Sequence, residues 1–239
     1  AVVTLQTGSP MLGFAAAGLA GAGAALFYGL AVIHGRANQV VAGTAMNLLV
    51  MGLIPLVLKV LYDSTGGTPA LPMDSRFVFF PLWFAWIVAL GVWVFFCRTP
   101  LGLWVSFAGE NPAALDAAGI SVRKVRYWAV AMSGFLAALG GATLSICLSS
   151  GYSRNMVAGR GFMALAALIL GKWKPGWALV ACLFFGLMEA IQIRLQAVDL
   201  SGSLALPPQF IVVIPYLATI LVLAGFLGKS RPPKALGEA

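Results

Sequence analysis

Five polar side chains occur at helical spacing inside long apolar runs of this sequence. Thr44 and Asn47 lie three residues apart in one run, and Glu189, Gln192 and Gln196 lie at i, i+3 and i+7 in another. This spacing puts each set on one face of a helix. Hydroxyl, amide and carboxylate groups can hydrogen-bond a polar solute, and inside a membrane they are costly unless they face protein, water or a solute. The two stripes therefore predict a pathway for a small polar solute, facing a shared cavity.

A purely structural interpretation of such side chains stays open. Asn and Gln often hydrogen-bond neighbouring helices in membranes, and Arg194 with Gln196 can extend toward the outer interface while their stems stay in apolar surroundings. Arg160, near the predicted outer surface, is interpreted as a structural anchor rather than a solute ligand. The Gly-rich run 11–33 is interpreted as helix packing, because no Gly-rich turn ends in Lys-Ser or Lys-Thr as a nucleotide loop would.

A second pattern lies in the link between two apolar runs and carries capping signals at both ends. It reads Gly109-Glu110-Asn111-Pro112-Ala113-Ala114-Leu115-Asp116-Ala117-Ala118-Gly119-Ile120. Asn111 is a favourable N-cap, Pro112 suits the first helical position, and Gly119 can take the left-handed conformation after the last turn. Segment 109–120 is therefore predicted to contain a short, rigid helix.

The surface of this helix is predicted to be nearly flat. Ala114 and Ala117 give it small side chains, Leu115 is expected as an exposed apolar knob, and the acidic Glu110 and Asp116 lie beside them. Such a surface suits docking into a groove of another protein. A connector that happens to be helical fits the same chemistry, so the residues alone leave both interpretations open.

The elements that carry these residues must lie in a membrane. Of 239 residues, 61% are hydrophobic and only 9% are charged, whereas soluble domains are roughly half apolar and about a quarter charged. The sequence predicts an all-α, polytopic transmembrane helical bundle in one domain, 1–239. Its seven predicted membrane segments are 11–33, 40–62, 77–96, 128–148, 161–171, 177–198 and 210–228. The fifth is too short to cross alone and is predicted to be a broken or re-entrant helix.

Basic residues segregate to one side if every segment crosses. Those that share a side with the link 97–127 are Arg36, Arg98, Arg123, Lys124, Arg126, Lys172, Lys174, Lys229, Arg231 and Lys234, and those opposite are Arg76, Arg154 and Arg160. Cytoplasmic loops carry the excess of Lys and Arg. The link 97–127 and the tail after Gly228 are therefore predicted to be cytoplasmic, and 63–76 and 199–209 to face outward. The net charge of +8 thus indicates topology rather than nucleic-acid binding.

Residues for other function classes are sparse. Cys97, Cys147 and Cys182 share no close spacing and His34 is the only histidine, so neither a metal cluster nor a disulfide framework is indicated. An intramembrane enzyme would need paired carboxylates, a Ser-His pair or a metal site at membrane depth. A secondary transporter would need an ion or proton site, for which Glu189 is the only acidic residue deep in a predicted span, and it remains a rival hypothesis.

Segment 109–120, with the following run 121–127, resembles the coupling loop of permeases in the bacterial ABC importer family for simple sugars, nucleosides and branched-chain amino acids. Three further stretches resemble the nucleoside and simple-sugar branch of that family, and the likeness covers nearly the whole chain. They are NQVVAGTAMNL at 38–48, GRGFMALAA at 159–167 and GLMEAIQIRLQ at 186–196. Family members usually begin with further membrane segments and a block containing Gly and Glu, so N-terminal segments are expected to be missing here.

The resemblance implies a membrane-spanning permease subunit that moves a nucleoside or simple sugar inward across the bacterial inner membrane. It implies a second permease subunit, identical or different, cytoplasmic ATPase subunits that grip the coupling helix, and an extracytoplasmic binding protein or lipoprotein. ATP hydrolysis is expected on the ATPase, with no catalysis and no cofactor on this chain, which contacts lipid and not nucleic acid. A branched-chain amino-acid permease is the alternative within the family. The implied ATPase-coupling positions are Gly109, Glu110, Asn111, Pro112, Ala114, Leu115, Ala117 and Gly119.

Overall fold

The structure is a computed structural model that describes residues 1–72, 80–197, 217, 232–235 and 237. The regular elements of that part of the chain are helices, which confirms the all-α prediction. The chain forms two compact units, one of residues 1–158 with 234–239 and one of residues 159–233. The helices are α1 (Val2–Thr7), α2 (Pro10–Gly29), α3 (Gln39–Tyr62), α4 (Phe80–Arg98), α5 (Pro100–Glu110), α6 (Pro112–Ala117), α7 (Val122–Ala142), α8 (Arg160–Leu170) and α9 (Pro175–Ala197). Two of them continue as π-helical turns, α2 through Leu30–His34 and α7 through Thr143–Leu148.

Helices α2 and α7 cross at a pair of glycines. A Cβ added at Gly21 would meet the side chain of Ala138 and lie 2.5 Å from the carbonyl oxygen of Gly134. A Cβ added at Gly134 would in turn meet Ala25 and lie 2.6 Å from the carbonyl oxygen of Gly21. Small residues let helix backbones approach closely in membranes. The packing role predicted for the Gly-rich run is therefore confirmed at this crossing.

The core of the first unit lies along the same two helices. Phe14 of α2 and Leu139, Ala142 and Ile146 of α7 and its π-helical end form one buried cluster. The two helices run antiparallel, since the space at Gly13 is bounded by Ile146 while the space at Gly29 is bounded by Tyr127 at the start of α7.

In the second unit, α8 packs against α9. Ala167, Ala181 and Phe185 form its buried cluster. Gly171, just after α8, lies so close to Ala178 that an added Cβ would be 2.5 Å from the Ala178 Cα. A turn this tight brings α9 back along α8, so that Glu189 in the second half of α9 reaches Arg160 at the start of α8.

Most of the predicted membrane segments appear as helices. Those long and apolar enough to cross a membrane are Pro10–His34, Gln39–Tyr62, Val122–Leu148 and Pro175–Leu195, matching the first, second, fourth and sixth predictions. The fifth prediction corresponds to the short helix Arg160–Leu170. The seventh, 210–228, and the loop 199–209 lie outside the described residues apart from Leu217.

The region after the third segment differs from the prediction. The sequence suggested a long polar link from 97 to 127 with one short helix in it, but the structure has a further helix there, α5, and α7 already begins at Val122. The helix Leu82–Arg98 meets Pro100–Glu110 at a bend of 75°. Thr99 makes this break, because its side chain caps α5 by accepting from the Gly102 N–H at 3.1 Å, and Pro100 cannot continue the preceding helix.

Candidate functional site

Helix α6 begins as its sequence predicts. Asn111 precedes it in a non-helical conformation, and its Oδ1 accepts the N–H of Ala114 at 3.3 Å. Pro112 occupies the first helical turn, where a missing N–H costs nothing because the first N–H groups of a helix have no intrahelical partner.

The end of α6 is closed by a glycine. Gly119 has a φ of +79°, a conformation that side chains with a Cβ rarely adopt. Its N–H donates to the carbonyl of Asp116 at 2.9 Å, and the N–H of Ile120 donates to the carbonyl of Leu115 at 3.1 Å. This pair of bonds is the Schellman arrangement that terminates many helices. Both predicted ends of the helix are therefore confirmed.

Leu115 corrects one prediction about this surface. The sequence suggested an exposed apolar knob, but Leu115 is only 4% exposed. Asp116, Ala114 and Ala117 are exposed instead. A helix of fewer than two turns has one face toward the protein, and burial of a leucine side chain stabilises by about 2 kcal/mol. Leu115 thus anchors α6, and the outward face consists of alanines beside one acid.

The chain near residue 235 reaches this region. The N–H of Ala235 donates to the carbonyl oxygen of Gly109 at 2.9 Å, and Ala235 is 8% exposed. Residues 234–235 and the junction between α5 and α6 therefore lie on the same side of the first unit, as the segregation of basic residues requires.

Two other loops of this unit are joined to each other. The N–H of Thr68 donates to the carbonyl of Tyr152 at 2.9 Å, and the N–H of Arg154 donates to the carbonyl of Gly66 at 2.9 Å. The Thr68 hydroxyl also accepts the N–H of Tyr152 at 2.9 Å. Segments 66–71 and 150–154 thus share a side of the unit, which agrees with the predicted parity of the membrane segments.

The polar stripe on α3 is open. Thr44 and Asn47 are both exposed, and the Thr44 hydroxyl donates to the carbonyl of Val41 at 2.9 Å, within its own helix. The start of this helix is set by Asn38, which caps it by accepting the N–H groups of Val40 and Val41.

The stripe on α9 contains an ion pair that the sequence did not suggest. Glu189 Oε1 accepts from the guanidinium of Arg160 at the start of α8, with Nε at 3.0 Å and Nη2 also bonded. The two side chains are 36% and 30% exposed. Arg160, which we expected to be a structural anchor, is thus paired with a residue predicted to line the solute pathway.

The remaining stripe residues are placed less completely. Gln192 is half-buried on α9, and the side chain of Gln196 lies outside the described residues. Thr44 and Asn47 belong to the first unit, whereas Glu189 and Gln192 belong to the second. A cavity shared by the two stripes stays a prediction. The sequence signal for the ion pair was one basic residue near the predicted outer surface and one acidic residue inside a predicted span, which gives no register between them.

Comparison with known proteins answers the question of class. Residues 1–223 match the family described as the permease component of branched-chain amino acid transport systems. The chain is 34% identical to the guanosine ABC transporter permease protein NupQ of Bacillus subtilis, over 98% of this chain and 78% of that protein. It is 34% identical to the nucleoside ABC transporter permease protein NupC of Lactococcus lactis, over 96% and 77% of the two chains.

A third relative extends the comparison to sugars. The ribose import permease protein RbsC of Escherichia coli is 31% identical over 67% of this chain and 52% of its own length. No solved structure matches the chain. Coverage of nearly the whole chain, together with helices that can cross a membrane several times, shows that the protein belongs to the family of branched-chain amino-acid-type ABC permeases and is a multi-pass membrane permease subunit.

Proposed function

We propose that the protein carries a nucleoside, or a simple sugar, inward across the bacterial inner membrane, driven by ATP hydrolysis on separate cytoplasmic subunits. The similar proteins named above are a guanosine, a nucleoside and a ribose permease. A second permease subunit and an extracytoplasmic binding protein or lipoprotein complete the assembly. This chain binds no cofactor and performs no catalysis itself.

The observation that carries the proposal is the construction of α6. A helix of six residues is capped at both ends and held by one buried leucine, while Ala114, Ala117 and Asp116 face outward. An isolated helix this short is unstable in water, so its caps and its anchor maintain its shape. Small outward side chains allow a partner to approach closely, which is what a groove on an ATPase subunit requires.

Replacement of Ala114 by arginine tests the docking. A long charged side chain at a closely packed contact introduces steric overlap and an unpaired charge, and burying the latter is strongly unfavourable. We expect Ala114→Arg to abolish both co-purification of the ATPase and solute-stimulated ATP hydrolysis, while the permease inserts normally. Ala37→Arg is the matched control, because Ala37 is an exposed alanine on the link 34–39, predicted on the same side. Unchanged assembly and hydrolysis in Ala114→Arg would falsify the coupling role of α6.

The solute pathway is proposed for Thr44, Asn47, Glu189, Gln192 and Gln196. Hydroxyls and amides suit the uncharged hydroxyl groups and base edges of a nucleoside. The ion pair with Arg160 holds the carboxylate of Glu189 at a fixed place on α9, so Glu189 contributes to the shape of the pathway as well as its polarity.

A branched-chain amino acid is the second candidate solute, favoured by the description of the family. Such a solute presents a carboxylate, an ammonium and an apolar side chain. Stripes of a hydroxyl, amides and one carboxylate that is already paired with Arg160 are a poorer match for it. Uptake into energised membranes carrying the full assembly distinguishes the two classes. We expect labelled guanosine or ribose to be taken up and labelled leucine not to be. Uptake of leucine alone would favour the second candidate.

A further inference from the structure

The junction between α5 and α6 is a single residue. Asn111 ends α5 and at the same time caps α6. Its backbone has a φ of −149° and a ψ of 81°, which is not helical. The direction of α6 relative to α5 is therefore set by the two dihedral angles of this residue, together with the contacts that hold the end of α5 and the start of α6.

One side of the junction is held by the anchor of α6. Leu115 is 4% exposed and lies four residues after Asn111. The other side ends in carbonyl groups of the last turn of α5, which have no partner within the helix. The Gly109 carbonyl is one of these, and it accepts the N–H of Ala235 at 2.9 Å.

The contact with Ala235 is a buried one. Ala235 is 8% exposed although the adjacent Lys234 is exposed, so a residue 126 positions away in sequence is packed where the junction needs support. A hydrogen bond out of contact with water is lost at a greater cost than one at the surface. This contact can restrain the last turn of α5 directly before Asn111.

We propose that residues 234–235 form a tether that fixes the α5–α6 junction and so orients α6 for the ATPase, with Ala235 as a positioning residue. The inference rests on the proposed coupling function of α6. The tether holds the last turn of α5, before Asn111, and leaves the docking face of α6 free.

Removing the N–H of residue 235 tests the tether in the full transporter. Ala235→Pro lacks the donor, and Ala235→Ser keeps the donor and nearly the same side-chain size. Loss of one hydrogen bond corresponds to a factor of roughly two to ten in the population of the oriented state. We expect Ala235→Pro to lower solute-stimulated ATP hydrolysis per assembled complex by that factor, with basal hydrolysis unchanged. Ala235→Ser should keep the stimulation of the unsubstituted chain.

A cross-linking measurement covers the case in which the proline variant fails to accumulate. Cysteines are introduced by Gly109→Cys and Ala235→Cys in a chain whose native Cys97, Cys147 and Cys182 are replaced by alanine. A short bifunctional thiol reagent should join them in the assembled transporter. Joining should leave the stimulation of this double-cysteine chain at the level measured before the reagent is added, since the tether is a fixed contact. Absence of the cross-link, or loss of stimulation on joining, overturns the proposal.

The coupling role of α6 and the tether at residues 234–235 can be rejected separately. If Ala114→Arg leaves the ATPase bound and stimulated, α6 is not the coupling element and the proposed function is at fault. Ala114→Arg could instead uncouple the transporter while Ala235→Pro keeps as much solute-stimulated ATP hydrolysis as Ala235→Ser. In that case α6 couples without help from residues 234–235, and the tether alone is rejected.

Discussion

Helices α2 and α3 have nearly the same length and the same apolar character, yet they are used differently. With its π-helical end, α2 covers 25 residues and α3 covers 24. Buried residues of α2 are Gly13, Phe14, Gly18 and Gly29, whereas α3 buries only Leu58. Apolar composition therefore determines that a segment enters the membrane, and small residues aligned on one face determine whether it packs closely against another helix.

The glycines of α3 show that number alone does not decide packing. Among the described residues, a Cβ added at Gly43 or Gly52 would meet nothing within 4 Å. At Gly21 of α2 the same atom would overlap Ala138 and the backbone of Gly134. What matters is a glycine opposite another small residue, so that two backbones can meet.

The largest effect is expected from a bulky residue at the crossing of α2 and α7. Gly21→Leu should prevent the two helices from closing, because overpacking a close contact with backbone on the other side forces both helices apart. Gly23→Leu is the control on the same helix, since no atom of the part of the chain that the structure describes lies within 4 Å of an added Cβ there. The thermal stability of the detergent-solubilised permease is the measurement. Equal stability of the two variants would show that α2 does not depend on close packing at Gly21.

The next effect is expected at the one buried residue of α3. Leu58 is 2% exposed and Val60 is 79% exposed. Leu58→Ala should destabilise the permease by about 2 kcal/mol, the lower end of the range for such truncations, because the cavity lies against protein. Val60→Ala should change stability little. A smaller loss in Leu58→Ala than in Val60→Ala would show that α3 is held elsewhere.

The polar stripe of α3 should affect transport rather than stability. We expect Asn47→Ala to lower solute uptake by up to roughly tenfold, the loss of one hydrogen bond to the solute, while the melting temperature stays the same. Leu48→Ala is the neighbouring control, since Leu48 is 70% exposed and apolar. Normal uptake with lowered stability in Asn47→Ala would assign Asn47 to contact between helices instead.

The smallest effect is expected in the loop that follows α3. The hydroxyl of Thr68 accepts the N–H of Tyr152 at 2.9 Å, and Thr68→Val removes that acceptor at a cost of about 1 kcal/mol. Thr65→Val is the control, because Thr65 is exposed in the same loop. Protection of the Tyr152 amide from hydrogen exchange should fall in Thr68→Val only. If it falls equally in both variants, the two loops are held by their backbone bonds alone.

The short helix α6 shows how far local signals reach. Asn111, Pro112 and Gly119 predict its ends correctly because each acts on backbone groups within a few residues. The burial of Leu115 could not be predicted in the same way. Which face of a short helix meets the protein depends on the position of α5 and α7, and α5 itself was hidden in what looked like a polar link.

The stripes show where the prediction of residues held and where partners were missed. Glu189 and Asn47 lie on helices at the predicted spacing, and their place on a solute pathway stays a prediction. The ion pair of Glu189 with Arg160 joins residues 29 positions apart. Its register depends on the tight turn at Gly171, which determines where α9 packs along α8.

The sequence by itself determined that the chain is a helical membrane protein, where most of its membrane helices run and how α6 is capped. Those properties follow from transfer free energies and capping bonds, which are local and add along the chain. Only the tertiary structure decided that Gly21 meets Gly134, that Leu115 turns inward, and that Ala235 lies on the carbonyl of Gly109. Each of these contacts joins or faces distant segments, and it depends on how closely two backbones approach, a quantity that no single stretch of residues contains.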